Sequence, residues 1–105
     1  LIESYLSKCL AQLSQEKWLV GMAPNEFTSR LAFYMGEINA VHPFREGNGR
    51  VQRLFCSQMA LNAGYFIDFE NITQDQMYSV MIASFNGDLN PLEHLLKENT
   101  AIIEP

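Results

Sequence analysis

This chain predicts an all-α domain. Apolar residues return every three or four positions through successive segments, helix start and stop signals bracket those segments, and only one short stretch carries the aromatic and β-branched weight of a strand. Its 105 residues suit one domain with its own core, and an apolar content of 48% excludes a disordered chain.

Ile2, Leu6, Cys9 and Leu13 form the apolar stripe of a first helix, and Phe27, Leu31, Tyr34, Ile38 and Val41 that of a second. Gly21, Pro24 and Asn25 mark the turn between them, with Asn25 the candidate N-cap of the second helix. A third helix is expected from about Arg50 to Ala63, stopped by Gly64 in the C′ position. Tyr65 to Ile72 is aromatic and β-branched but short, and reads as an extended connector rather than a sheet. Thr73 with Gln76 makes a capping box that launches a helix whose Met77, Val80, Met81, Ser84 and Phe85 share a face, and Asn86-Gly87 ends it. Asn90 as N-cap, Pro91 at N1 and Glu93 as capping acid start a last short helix with Leu92, Leu95 and Leu96 inward. The methionines fall in helical patterns as gap-filling core, and Cys9 and Cys56 read as reduced, buried thiols.

The formal charge of −5 disfavours nonspecific nucleic-acid binding, which needs a broad basic face. No apolar run approaches the roughly 20 residues that span a bilayer, so no membrane partner is expected. No signal-like segment opens the chain, and a start at Leu1 rather than Met suggests an excised fragment. Two histidines and two distant cysteines give no zinc-ligand spacing, and His94, on an apolar helix pattern, reads as structural or surface.

Against this background residues 42–53, His-Pro-Phe-Arg-Glu-Gly-Asn-Gly-Arg-Val-Gln-Arg, stand out. The chain has four arginines, and three of them (Arg45, Arg50, Arg53) fall in this window. Such a concentration in an acidic protein asks for an anion. Gly47 and Gly49 flank Asn48, a combination that lets successive N–H groups converge into an anion nest. The helical pattern resumes at Arg50, placing the nest at a helix N-terminus whose partial positive charge favours phosphate. Arg50 and Arg53 are three apart, hence on one face and within reach of outer phosphates. His42 titrates near neutral pH and can take a proton from a hydroxyl, while Glu46 offers a hard oxygen to a divalent cation. An ordinary helix-turn-helix with scattered charges would account for any one of these residues, but not for the constellation.

The segment resembles the signature of the Fic family: His, any, Phe, any, Asp or Glu, Gly, Asn, Gly, Arg, two of any, Arg. Every fixed position is matched, and a looser likeness runs from about Trp18 to Leu96. The resemblance implies a Fic-type helical bundle with the signature loop between two central helices, and a protein adenylyltransferase that moves AMP from ATP to a Tyr, Thr or Ser hydroxyl of a target protein. His42 would be the general base and Glu46 the Mg²⁺ ligand. Asn48, with the backbone of Gly47 and Gly49, would cradle the α- and β-phosphates; Arg50 would touch the β-phosphate and Arg53 the γ-phosphate. Phe44 would point into the core and Pro43 would stiffen the loop. Arg45 falls at a variable position and inherits no role. Relatives resembling the Doc kinases carry Lys in place of the second nest glycine, so Gly49 favours nucleotidyl transfer, with UMP or phosphocholine transfer as further family chemistries.

The family's target-clamping β-hairpin flap would lie before Leu1, so residues 1–105 read as a catalytic core without it. The family's inhibitory pattern, Ser or Thr, three residues, Glu, then Gly or Asn, is not matched, because Glu98-Asn99 follows His94 by four. Restraint is then expected from a separate antitoxin-like partner or from sequence beyond this chain. A bacterial cytoplasm fits, with delivery into another cell the alternative. The runner-up function is a catalytically idle nucleotide-binding or regulatory module. His42 argues for the enzyme, since a mere nucleotide binder needs no base beside the nest.

Overall fold

The computed structural model describes residues 2–41 and 48–103. Among them run five helices, α1 (Ile2–Gln15), α2 (Pro24–Val41), α3 (Asn48–Ala63), α4 (Gln74–Phe85) and α5 (Asn90–Glu98), with two three-residue strands, β1 (Tyr65–Ile67) and β2 (Thr100–Ile102). α2 is the hub and touches each of the other four helices. Its Phe27, Leu31, Tyr34 and Met35 meet Leu13 of α1, Cys56, Met59 and Ala60 of α3, Met77 and Met81 of α4, and Leu92 and Leu96 of α5 in one core. None of the helices among the described residues is long and apolar enough to cross a membrane.

Several start and stop signals act as their chemistry predicts. The Thr73 hydroxyl accepts from Gln76 N at 3.0 Å and the Gln76 side chain accepts from Thr73 N at 2.9 Å, completing the capping box of α4. Gly64 follows α3 with φ +90°, the left-handed conformation that glycine adopts without strain. His94 is exposed beside Glu98 at 3.1 Å, one helical turn away. Cys9 and Cys56 are free and buried, and burial pushes the Cys56 thiol up to about 12.

Elsewhere the structure departs from local expectation. α2 begins at Pro24, so Asn25 lies inside the first turn rather than capping it. α5 begins at Asn90 itself, with Leu89 in the N-cap position and no side-chain cap, while the Asp88 carboxylate just before it accepts from Asn90 N at 3.1 Å. Phe85 is 57% exposed and does not join the inward face of α4. Residues 65–67 are not a lone connector: they pair antiparallel with β2 in the register Tyr65↔Ile102, Phe66↔Ala101, Ile67↔Thr100. Residues 69–71 then turn in a 3₁₀ segment. Tyr65 anchors the pair by stacking on Phe27 at 4.3 Å between centroids and donating its hydroxyl to the Met22 carbonyl.

Between α1 and α2, Lys17, Trp18 and Leu19 have φ of 55°, 54° and 65°, a left-handed turn built from three non-glycine residues. Left-handed backbone costs roughly 1–2 kcal/mol per residue, so the surroundings must impose it. Leu19 is fully buried. Glu16, just before the turn, receives Arg30 Nε at 2.8 Å and Arg30 Nη2 at 2.7 Å, and the Tyr34 hydroxyl also donates to it. The Arg30 guanidinium in turn sits 4.6 Å over the Phe33 ring centroid. Arg30's hydrogen bonds hold the Glu16 carboxyl below the usual carboxylate range, whereas burial and then the bond to Glu16 push the Tyr34 phenol up to about 12.

Candidate active site

α3 opens at Asn48, two residues before the expected start, so Asn48 and Gly49 belong to its first turn. The first turn of a helix presents N–H groups with no partner inside the helix, which is the electrostatic setting an anion needs. Arg50 and Arg53 follow on one face, Arg50 exposed and Arg53 half-buried. Leu54 and Ser57 extend the same stripe by one turn and two, as four-residue and seven-residue steps from Arg50 require.

This stripe forms one wall of an open cavity of about 550 Å³, and Phe69 and Glu70 of the 3₁₀ turn after β1 form the other. Two guanidinium groups and one carboxylate therefore border the same space. Leu54, 71% exposed, gives the cavity an apolar strip beside the cations. Of the residues singled out by sequence, Arg50 and Arg53 are brought together and Asn48 and Gly49 are placed in the turn ahead of them. His42, Glu46 and Gly47 lie outside the described residues, as do Pro43, Phe44 and Arg45.

Sequence reading missed the rest of the lining. Leu54 and Ser57 were accessible by continuing the three-and-four step past Arg53. Phe69 and Glu70 carried no local signal, because they reach the cavity only after Gly64 reverses the chain and β1 packs back against α3. Among the described residues no cluster of three or more His, Cys, Asp or Glu side chains forms a metal site. A Mg²⁺ held by a single carboxylate with nucleotide phosphates and water needs no such cluster.

A model of the Fic/DOC family matches residues 2–60, more than half of the chain. The chain belongs to the Fic/DOC family. Over 98 residues it is 44% identical to the protein adenylyltransferase VbhT of Bartonella schoenbuchensis, which covers 93% of this chain and 20% of that protein. Among solved Fic structures it is similar to the N-terminal Fic domain of a cell filamentation protein of Bartonella quintana with bound ADP. That match has a TM-score of 0.91 and 33% identity over 98% of this chain and 49% of the other. It is also similar to BepC, a VirB-translocated effector of Bartonella tribocorum with bound AMPPNP, with a TM-score of 0.89 and 31% identity over 98% of this chain and 50% of that one. The chain thus spans about half the length of these solved Fic chains and a fifth of VbhT.

Proposed function

We propose that this Fic domain is the catalytic core of a protein adenylyltransferase, transferring AMP from Mg-ATP to a Tyr, Thr or Ser hydroxyl of a target protein. The observation that carries the reading is the complete signature at 42–53, whose Arg50 and Arg53 share one face of α3 beside an open cavity, directly after the turn that holds Asn48 and Gly49. The names of the relatives and the nucleotides bound in the solved Fic structures support it.

In this reading the acceptor hydroxyl oxygen attacks the α-phosphorus of ATP and its proton passes to His42. The bond from the α-phosphorus to the bridging oxygen breaks, and pyrophosphate leaves with that electron pair. A positioned base typically contributes about 10²- to 10⁴-fold. Asn48 and the backbone of Gly47 and Gly49 hold the α- and β-phosphates in fixed donors, so charge that grows there is met without reorganisation. Arg50 neutralises the β-phosphate and Arg53 the γ-phosphate, orienting pyrophosphate as the leaving group. Glu46 would hold Mg²⁺, which supplies positive charge to the phosphate oxygens. An antitoxin-like partner that restrains the site, and delivery into another cell as with the VirB-translocated relatives, belong to the same proposal.

The test is incubation of the full-length protein and a lysate with ATP labelled in the α-phosphate, followed by mass spectrometry. AMP on a hydroxyl side chain, lost in His42→Ala, is the expected result. Nucleotide binding without any transferred label would leave the idle binding module as the function.

A further inference from the structure

The last turn of α2 is held by more than apolar packing. Asn39 is 2% exposed, and its Nδ2 donates to the Met81 carbonyl of α4 at 2.9 Å. Burying an amide gains nothing over an apolar side chain of similar size unless its direction matters, because the bond mostly recovers what desolvation costs. The residues around it on this helix are buried apolar ones, Leu31, Ala32 and Met35 among them, and the polar contacts that Arg30 and Tyr34 of α2 make to Glu16 lie nearer its start. A hydrogen bond at this place adds what dispersion contacts lack, a preferred angle that resists rotation of α2 about its axis and sliding along α4. Three residues earlier on the same face, Gly36 allows the two helices to close: a Cβ there would stand 2.7 Å from Leu89 Cδ2 and 3.0 Å from Ser84 Oγ. Ser84 and Met81 are likewise three apart on α4. Two rungs therefore fix α2 against the α4–α5 pair, and the second lies two residues before α2 ends at Val41. His42 is the next residue in the chain.

We propose that Asn39 is a positioning residue for the transfer reaction, acting through His42 by fixing the direction in which the chain leaves α2. This rests on the assignment of His42 as the base. A general base works only within hydrogen-bond reach of the proton it takes, and a displacement of about 1 Å can cost about 10²-fold in rate. Asn39 itself touches neither nucleotide nor acceptor in this account. Its role is distinct from that of the neighbouring core residues, whose loss would lower the amount of folded protein but not the rate of each folded molecule.

The experiment uses the full-length protein with Asn39→Leu and Asn39→Asp, each alone and combined with His42→Ala. Transfer is measured as label from α-labelled ATP retained on protein in a fixed lysate, and ATP calorimetry counts the competent molecules. Each Asn39 variant should bind ATP with unchanged stoichiometry and within about twofold of the original affinity, while transfer per ATP-binding molecule falls about 10- to 100-fold. In the His42→Ala background the same substitutions should leave residual transfer unchanged, because no base remains to be misplaced. An equal loss in both backgrounds overturns the proposal, as does a loss that simply follows ATP-binding stoichiometry in both variants. Near wild-type transfer by His42→Ala alone would overturn the base assignment and with it this proposal, a failure recognisable because it needs no change at Asn39.

Discussion

Glu16 is a carboxylate gripped by a guanidinium and a phenol, and its titration gives stability a definite pH dependence. Its folded value is depressed, so its contribution is present above the ordinary value of 4.5 and fades as the pH falls through that range. Glu16→Gln should therefore destabilise by about 1–2 kcal/mol at pH 7, allowing for partial solvent screening, with the gap closing in acid. Urea melts at pH 7 and pH 3 compare the two. Tyr34 behaves in the opposite sense, since its raised value favours the neutral phenol in the fold. That contribution is complete below pH 10 and lost as the pH climbs towards about 12, so alkaline melts of Tyr34→Phe should show a shallower decline. At the proposed phosphate site, Arg53→Ala should remove most of a preference for ATP over ADP, roughly 1.5–3 kcal/mol for a charge-assisted contact. Calorimetry with ATP, ADP and AMP reads it, and equal losses for all three would make Arg53 structural.

Helix elements were legible where their signals are local. The apolar stripe of α2, the capping box of α4 and the glycine after α3 each depend on residues within one or two turns, so the sequence contains the whole cause. Asn25 and Asn90 misled because cap preference depends on neighbours: Pro24 already suits a first helical position, and with Asp88 accepting from its N–H, Asn90 becomes the first helical residue rather than the cap. Gly36 went unread for a different reason, since a glycine inside a helical stripe looks like a weak point until the facing helix is known. Gly36→Ala should be close to neutral, as the Leu89 methyl can swing aside and the helix gains up to about 1 kcal/mol of propensity. Gly36→Val should instead cost about 1–3 kcal/mol by forcing α2 from α4. Thermal melts of the pair separate these outcomes.

For the molecule as a whole, the missed feature was the pairing of β1 with β2, two three-residue strands with more than thirty residues between them. No periodicity over so short a run can announce a partner so distant. Phe69 and Glu70 come to the cavity just beyond β1, where it packs on α3, which is why half the site, the arginine stripe, was readable and the opposite wall was not. Tyr65 is where this distant contact is tied to α2, so Tyr65→Phe, which keeps the stack on Phe27 but loses the bond to Met22, should cost about 1 kcal/mol. Tyr65→Ala should cost about 3–5 kcal/mol, and hydrogen exchange at Phe66 and Ile67 would accelerate with it. The left-handed turn at Lys17–Leu19 has no local reason to form in an unfolded chain, because it becomes favourable only once Leu19 is buried and Arg30 has found Glu16. Strain that enters so late burdens the native state and spares the folding transition state. Lys17→Gly, at an exposed position, should then slow unfolding by up to about fivefold while leaving the folding rate untouched. The turn is a clock: it sets how long the domain lasts, not how fast it is made.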